Sequence, residues 1–216
     1  MSRRVGIFGG AFNPPHLGHL RAALEVLETL NLEKVLLVPS GRHPFKGEDL
    51  LAPPHHRMAM TGLACTGVPG LEACDIEVTR SGVAYTIDTL SDLALRHPGV
   101  DPVFLMGSDL IDELHLWKSW QRLLDIAHVC LMTRPGGSGT HDDGPAMEWL
   151  QRHECRDLEL FARDHPRRFG YVRVSIPPLA ISSSEIRRRI RSGRSIRFLT
   201  TDQVVDYIDH HRLYRD

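Results

Sequence analysis

Residues Gly9 to Leu20 read GGAFNPPHLGHL, and this stretch decides the predicted fold. It follows a short apolar run, Val5–Phe8, and it precedes a helical pattern. Glycine lets the backbone turn sharply and approach a ligand closely, so we expect the two glycines to form a turn at the end of a strand. The two prolines keep a helix from starting earlier. The stretch therefore predicts a strand, a turn and a helix in succession.

Two histidines, His16 and His19, stand three residues apart at the predicted start of this helix. That spacing puts both imidazoles on one helix face, beside backbone amides that have no partner within the helix. Amide donors, the helix dipole and paired imidazoles suit a phosphate chain, and we favour that interpretation. A metal site and a pair of solvated histidines stay open as alternatives.

The composition is typical of a globular domain. The chain has 216 residues, of which 42% are hydrophobic and 25% charged, and its formal net charge is −1. A net charge near zero does not indicate a large nucleic-acid-binding field, so any anion site must be local. No apolar run approaches the ~18 residues that a membrane span requires. We therefore expect neither nucleic-acid nor membrane partners.

The cysteines and the first residues indicate the cellular compartment. Cys65, Cys74, Cys130 and Cys155 are scattered and form no CxxC motif, so we expect reduced thiols and no zinc site. The N-terminus runs from Met1 directly into a strand without the apolar core of a signal peptide. A cytoplasmic protein is the prediction.

Helical patterns alternate with buried strands along the chain. The predicted strands are Val5–Phe8, Lys34–Val38, Glu72–Thr79, Val103–Met106, His128–Met132 and Tyr171–Ile176. The predicted helices are Leu17–Leu30, His55–Ala64, Tyr85–His97, Ser184–Arg191 and Asp202–His210, with shorter pieces at Leu110–Leu116, at Ser119–Ile126 and from Met147. We expect the α/β class: a Rossmann-like open, mostly parallel sheet with helices on both faces. Residues 1–216 would form one domain, with a C-terminal helical portion from about residue 181.

Ligands of open parallel sheets bind beyond the carboxyl ends of the strands, so the residues after each strand are candidate site residues. Glycines, histidines, a carboxylate, indoles and cations all fall there. These segments are Gly9–His19, Pro39–Lys46, Gly107–Asp109 with Trp117 and Trp120, Arg134–Gly136, and Ile181–Arg187. Their coincidence at one edge predicts a single site.

Several of these residues also have a purely structural interpretation. Asp109 either caps the following helix or accepts hydrogen bonds from ribose hydroxyls. Trp117 and Trp120 either belong to the core or supply an aromatic lid over a flat ring. Thr86 is either a ligand or an N-cap, and Lys46 is either a ligand or a solvated lysine.

A second phosphate-binding helix start is predicted at Ser182. Ser182 and Glu185 fit a capping box, which explains both residues structurally. Arg187 falls in the predicted first turn, where a cation opposes the helix dipole unless an anion is bound. This mismatch favours a phosphate at this helix too.

The motifs restrict the chemistry. The chain lacks GxGxxG, GxxxxGK[ST] and GxSxG, which argues against dinucleotide-dependent redox chemistry, P-loop phosphoryl transfer and serine hydrolysis. Nucleotidyl transfer by positioning remains, in which donors and cations hold an attacking phosphate in line with an α-phosphate. No side chain need form a covalent intermediate.

Two motifs carry a family resemblance. Gly9–Leu20 resembles the GGxFxPxHxGHL signature of the HxGH nucleotidyltransferases, and ISSSEIRRRI at Ile181–Ile190 resembles their ISSTxIR signature. Four further segments narrow the resemblance to the bacterial nicotinate-nucleotide adenylyltransferases. These are Ala84–Leu90 (AYTIDTL), Phe104–Asp109 with Trp117 and Trp120, Arg134–Gly136, and Ser195–Tyr214.

The resemblance implies a reaction in NAD biosynthesis: ATP and nicotinate mononucleotide give deamido-NAD and pyrophosphate. It implies Mg²⁺, bound mainly through the ATP phosphates, and no metal ligand from the protein. The oligomeric state stays open. Three rivals also remain: a related transferase with another acceptor, a non-catalytic nucleotide sensor, and a metal-binding protein.

The resemblance also implies site residues, in three groups. The catalytic residues would be His16, His19 and Arg187. The ATP-binding residues would be Gly9, Gly10, Ala11, Phe12, Gly107, Asp109, Arg134, Ser182, Ser183 and Ser184. The mononucleotide-binding residues would be Asn13, Lys46, Tyr85, Thr86 and Trp117, with the indole stacked on the nicotinate ring.

The chain departs from the family pattern in two places. Asn13 stands where the family often has Asp. In the segment after the second strand, Phe45 replaces the family's histidine, and His43 lies two positions earlier. The role of that histidine is therefore not transferred to this chain.

Overall fold

The computed structural model describes residues 3–41, 51–134, 144–158, 161 and 169–215. The predicted features at His43, Phe45, Lys46 and Pro135–Gly136 lie outside the described residues. Every helix of the described part is too short or too polar to cross a bilayer.

Six strands form one sheet in which every pairing is parallel. They are β1 (Arg3–Gly10), β2 (Lys34–Pro39), β3 (Leu71–Ala73), β4 (Val100–Gly107), β5 (His128–Thr133) and β6 (Tyr171–Ser175). Their order is β3-β2-β1-β4-β5-β6. Successive strands are therefore added on one side of β1 up to β3, and on the other side from β4 onward. The predicted open parallel α/β fold is confirmed, and this reversal between β1 and β4 marks where a ligand site is expected.

The helices begin and end close to the predicted positions. They are α1 (Leu17–Thr29), α2 (Pro54–Cys65), α3 (Thr86–Arg96), α4 (Pro145–Gln151), α5 (Ser183–Arg191) and α6 (Asp202–His210). Two 3₁₀ segments, Ser108–Leu116 and Trp120–Asp125, follow β4. Two separate hydrophobic clusters show that helices cover both sheet faces. One includes residues of α1, α2, α5 and α6, and the other includes residues of α3, α4 and the 3₁₀ segments.

Helix α1 packs against the core through both large and small side chains. Leu20 is buried, and Leu24 and Leu27 are partly buried against the same hydrophobic cluster. Ala23 and Val26 are completely buried beside them.

The predicted strand Glu72–Thr79 is wrong beyond Ala73. β3 pairs with β2 over only three residues, and the chain then turns, with the Thr79 N–H donating to the Asp75 carbonyl at 2.9 Å. The turn buries Ile76 and carries Glu77 to the carboxyl edge of the sheet, near Gly41. Apolar and polar residues alternate along this stretch, and that alternation belongs to a turn rather than to a strand with one buried face.

Candidate active site

A cleft of about 840 Å³ opens at the carboxyl ends of β1 and β4, where the strand order reverses. Both predicted phosphate-binding segments contribute to its wall. The described lining residues include Gly10, Ala11, Phe12, Asn13, His16, Gly18, His19, Gly107, Asp109, Arg134, Ser182, Ser183, Ser184 and Arg187. The structure thus brings together most residues that were predicted for the ATP side.

The turn after β1 is made by Phe12 and not by the glycines, which corrects the prediction. Gly9 and Gly10 belong to the extended strand, whereas Phe12 has a φ of 43°, in the left-handed region. The Phe12 ring lies over Gly10, 3.2 Å from the position that a Cβ would occupy, so there is little room for a side chain at Gly10. Gly9 is absent from the described cleft lining, and a side chain there would meet open space.

The two histidines stack on each other at the start of α1. Their ring centroids are 3.6 Å apart with an angle of 22° between planes. The His16 backbone N–H donates to His19 Nδ1 at 3.2 Å, so a neutral His19 carries its proton on Nε2. A Cβ at Gly18 would lie 3.0 Å from His16 Nδ1, so the stacked pair leaves little room for a side chain at this position.

The histidine pair is neutral near pH 7. Burial, followed by the charge of Arg134, lowers the pKa of His16 from 6.5 to about 4. Burial, His16 and Arg134 together hold the pKa of His19 well below 6.5. A neutral His19 with a protonated Nε2 is a hydrogen-bond donor, so it can bind a phosphate oxygen without first gaining a proton.

Aromatic rings hold His19 from the side of the loop. The Phe12 and His19 ring centroids are 5.0 Å apart in an edge-on arrangement, and Phe8 contacts both rings. Phe12 is 2% exposed, so its ring forms a rigid wall. The left-handed turn therefore places the ring that supports the imidazole.

The C-terminal segment binds the backbone of residues 13–15 directly. The Asn13 carbonyl accepts from Arg187 Nη1 at 2.7 Å, and the Pro14 carbonyl accepts from Ser183 Oγ at 2.8 Å. The Pro15 carbonyl accepts from Thr200 Oγ1 at 2.8 Å. Three successive carbonyls of a segment that precedes the histidines are thus held from the far end of the chain.

The helix start at Ser182 has the predicted cap, but Arg187 differs from its prediction. Ser182 Oγ accepts from the Glu185 N–H at 3.2 Å. Arg187 is the fifth residue of α5, and besides Asn13 its guanidinium contacts Ser184 Oγ at 3.3 Å. Burial lowers the pKa of Arg187. Its placement is explained by these contacts without the first-turn anion that the sequence suggested.

Asn13 lines the cleft, but its side-chain oxygen is engaged in the fold. It is 1% exposed, and Oδ1 accepts from the Ala52 N–H at 3.0 Å and from Tyr214 Oη at 2.8 Å. Both contacts require an acceptor oxygen, which Asn and Asp share. The departure from the family's Asp therefore keeps the hydrogen-bonding function.

Gly107, Asp109 and Arg134 also line the cleft. The 3₁₀ segment after β4 has Gly107 as its N-cap and no side-chain cap, so the capping alternative for Asp109 is wrong. Asp109 is exposed, and a Cβ on Gly107 would collide with its Oδ1. The carboxylate is therefore free to face a polar ligand in the cleft.

Three of the residues predicted for the mononucleotide do not line this cleft. Tyr85, Thr86 and Trp117 are half-buried and are absent from its described lining. Lys118 lies over the Tyr85 ring, with Nζ 4.7 Å from the centroid, and Trp117 packs edge-on against Phe104. Helix α3 begins with Tyr85 as N-cap, so Thr86 is not the cap.

Arg57 is a residue near the site that the sequence analysis missed. It is 1% exposed and donates to the carbonyls of Ala52, Ala11 and Gly41 at 2.9, 3.0 and 3.4 Å, and to Ser40 Oγ at 3.4 Å. A signal existed, because an arginine stands in line with the buried face of α2. A cation at such a position needs polar partners from outside the helix.

Comparison with known proteins identifies the family. The family model described as Cytidylyltransferase-like matches residues 7–189. A Roseiflexus protein named "Probable nicotinate-nucleotide adenylyltransferase" is 39% identical over 99% of this chain and 99% of its own length. The chain belongs to the cytidylyltransferase-like family and, within it, to the nicotinate-nucleotide adenylyltransferases. A Symbiobacterium thermophilum protein of the same name is 37% identical over 98% of this chain and 95% of its length.

Solved structures agree in fold with this adenylyltransferase family member. The Plasmodium falciparum nicotinic acid mononucleotide adenylyltransferase complexed with NaAD has a TM-score of 0.71 and 23% identity, covering 98% of this chain and 97% of that chain. A likeness at this identity establishes the fold alone. The family resemblance found in the motifs is confirmed by the relatives and not by this structure.

Proposed function

We propose that this protein transfers the adenylyl group of ATP to nicotinate mononucleotide, giving deamido-NAD and pyrophosphate in NAD biosynthesis. The observation that carries the proposal is the full-length identity of 37–39% to relatives of that name. The cleft geometry supports it, because two neutral imidazoles and the starts of α1 and α5 face one space. The domain is residues 1–216, with its helical portion from about 181, and we place it in the cytoplasm.

The reaction is an in-line displacement at the α-phosphorus of ATP. A phosphate oxygen of the mononucleotide forms the new bond, and the bond from the α-phosphorus to the bridging oxygen breaks, so pyrophosphate leaves. No bond forms between the protein and the adenylyl group. Protein catalysis then consists of holding both phosphates in line and stabilising the developing charge.

The ATP side is assigned to the segments around the cleft. His19 would donate through Nε2 to a phosphate oxygen, with His16 stacked against it. Arg187 would add charge from α5, and Asp109 would accept from ribose hydroxyls. Contributing residues would be Gly9, Gly10, Ala11, Phe12, Gly107, Arg134, Ser182, Ser183 and Ser184.

The mononucleotide side is assigned to residues beside the cleft. Trp117 would stack on the nicotinate ring, with Tyr85 and Thr86 around it. Asn13 and Lys46 would complete this side, Asn13 at the cleft wall and Lys46 by resemblance alone. Base stacking on an indole contributes about 1–3 kcal/mol, which suits recognition of a flat ring.

Mg²⁺ fits this site as an ion carried by ATP. The described residues contain no group of three or more His, Cys, Asp or Glu side chains arranged to hold a metal. Neutral imidazoles and one exposed carboxylate are a poor cage for a hard cation, which prefers oxygen ligands. When bound to the phosphates, Mg²⁺ would neutralise part of their charge.

The deciding experiment compares acceptors. The protein is incubated with ATP and, separately, with nicotinate mononucleotide, nicotinamide mononucleotide and phosphopantetheine, and pyrophosphate release is followed. We expect the highest kcat/KM with nicotinate mononucleotide. A preference for another acceptor would overturn the assignment, and ATP binding without turnover would support the rival nucleotide sensor. Stoichiometric zinc in the purified protein would support the metal-binding rival.

A further inference from the structure

Arg57 is among the largest side chains that the fold buries completely. A buried guanidinium loses hydration that a hydrophobic residue of similar length would not need, so its presence requires a compensating set of contacts. Those contacts are backbone carbonyls. Three guanidinium nitrogens donate to three different chain segments: Nε to Ala52, Nη1 to Ala11 and Nη2 to Gly41.

The Ala11 segment leads to the histidine pair. Ala11 directly precedes Phe12, the residue with left-handed backbone whose ring supports His19. A shift of the Ala11 carbonyl would therefore move the Phe12 ring and the imidazole edge that contacts it. Arg57 reaches this carbonyl from α2, which is 46 positions away in sequence.

The other two segments are held from both sides. The Ala52 N–H donates to Asn13 Oδ1 at 3.0 Å, while its carbonyl accepts from Arg57. The Gly41 N–H donates to the Glu77 carboxylate, and there is no room for a Cβ at Gly41. Thr89 of α3 also donates to Glu77, at 2.8 Å. The contacts thus run from the histidine loop to the helix that begins beside Tyr85.

The planar shape of the guanidinium suits this arrangement. Its donors point in fixed directions, so three carbonyls bound to one fork have fixed relative positions. A lysine ammonium lacks that fork and would not reproduce the set. Burial lowers the pKa of Arg57, and the Glu77 carboxylate opposes that change, so the charge has electrostatic support as well.

We propose that Arg57 is a positioning residue, which sets the Ala11–Phe12 backbone, and through it His19, relative to Gly41 and Ala52. The inference rests on the proposed function, because it concerns the imidazole assigned to the ATP phosphates. It predicts that the guanidinium contributes to turnover without touching substrate and without being needed for folding.

The test uses Arg57→Met and Arg57→Lys in the full chain. We expect Arg57→Met to stay folded at the assay temperature with a lower melting temperature, because three carbonyls lose their donor. The kcat of the folded protein should fall by about 10- to 100-fold, because small misplacements of reacting groups have effects of that order. The kcat of Arg57→Lys should lie between those of the wild type and Arg57→Met. Met60→Leu is the matched control, since Met60 is also fully buried in α2 and the change nearly conserves volume.

The same proteins are compared by the NMR signals of the His19 imidazole, which do not depend on turnover. We expect Arg57→Met to move these signals and the midpoint of their pH titration toward 6.5, and Met60→Leu to leave both unchanged. If the wild type transfers nothing to nicotinate mononucleotide, the proposed function fails, and the imidazole signals alone decide the role of Arg57.

Wild-type kcat and unchanged His19 signals in a folded Arg57→Met would overturn the proposal. A loss of kcat that matches the fall in folded protein would also overturn it. If Arg57→Met does not fold, Arg57→Lys decides, because it keeps the charge and loses the planar fork. A lower kcat with shifted His19 signals in folded Arg57→Lys supports the proposal, and wild-type kcat with unchanged signals overturns it.

Discussion

On the side proposed for ATP, the backbone before the histidines is fixed by hydrogen bonds from remote segments, and the rings stack within 3.6 Å. On the side proposed for the mononucleotide, Tyr85, Thr86 and Trp117 are half-buried side chains outside the described cleft lining. The first region is a rigid backbone structure, and the second is a set of individual side chains.

This difference indicates how the two tasks are divided. Stabilising charge in a transition state requires donors that are already in position, because reorganisation during the reaction lowers the gain. Recognising one acceptor requires only a complementary surface for a ring. We therefore expect changes on the ATP side to lower kcat, and changes on the mononucleotide side to raise the KM of one substrate.

The largest effect is expected for His19→Ala, which removes the Nε2 donor. Loss of one preorganised donor lowers kcat by about 100- to 1000-fold. The melting temperature and the KM for nicotinate mononucleotide should change little. His115→Ala, at an exposed histidine outside the cleft lining, is the control and should have wild-type kinetics. Full activity of His19→Ala would remove His19 from the mechanism.

A smaller and more selective effect is expected for Trp117→Ala. Loss of stacking should raise the KM for nicotinate mononucleotide by about 10- to 100-fold, with the KM for ATP unchanged. Steady-state kinetics with each substrate varied in turn provide the measurement. Trp120→Ala is the control, because Trp120 packs on Trp149 with ring centroids 5.1 Å apart, and its loss should lower stability instead. An equal rise in both KM values would contradict the division between the two regions.

Ser183→Ala tests the attachment between the ends of the chain. It removes the donor to the Pro14 carbonyl, and a hydrogen bond of about 0.5–1.5 kcal/mol predicts a 2- to 10-fold fall in kcat. Ser192→Ala removes a comparable bond at the other end of α5, to the Arg189 carbonyl, and should leave kcat unchanged. Equal effects of the two variants would show that the position of the bond is irrelevant.

The smallest effect concerns pH and stability. The folded state lowers the pKa of His16 from 6.5 to about 4, so the unfolded state binds more protons between these values. The contribution of His16 to the free energy of unfolding should be complete above pH 6.5, and it should be lost as the pH decreases toward 4. Urea unfolding at pH 7 and 5 measures this loss, which should be smaller in His16→Asn. An identical loss in that variant would assign the pH dependence to other groups.

Local patterns predicted much of the fold. The first three elements, β1, α1 and β2, lie where the sequence predicted them, and α6 has the predicted bounds, Asp202–His210. Ser182 is the predicted N-cap of α5. Each of these features depends on residues within one or two turns of each other, so their signals are contained in short stretches of sequence.

The errors occurred where distant segments meet. The sequence placed the turn at Gly9 and Gly10. In the structure the Phe12 ring covers Gly10, and the Phe12 backbone has the left-handed conformation of the turn. The sequence placed Arg187 in the first turn of its helix, but Arg187 is the fifth residue of α5 and donates to the Asn13 carbonyl. Neither contact has a periodic or spacing signal, because each depends on how the folded chain brings separate segments together.

The sequence by itself determined the parallel α/β architecture, the family and the pairing of His16 with His19 on one helix face. Only the tertiary structure decided what holds that pair: the buried fork of Arg57, and Tyr214 bonded to Asn13 across 201 positions. The physical reason is range. Helix and strand patterns follow from neighbouring residues, whereas hydrogen bonds to loop carbonyls depend on the packing of the whole sheet and its helices.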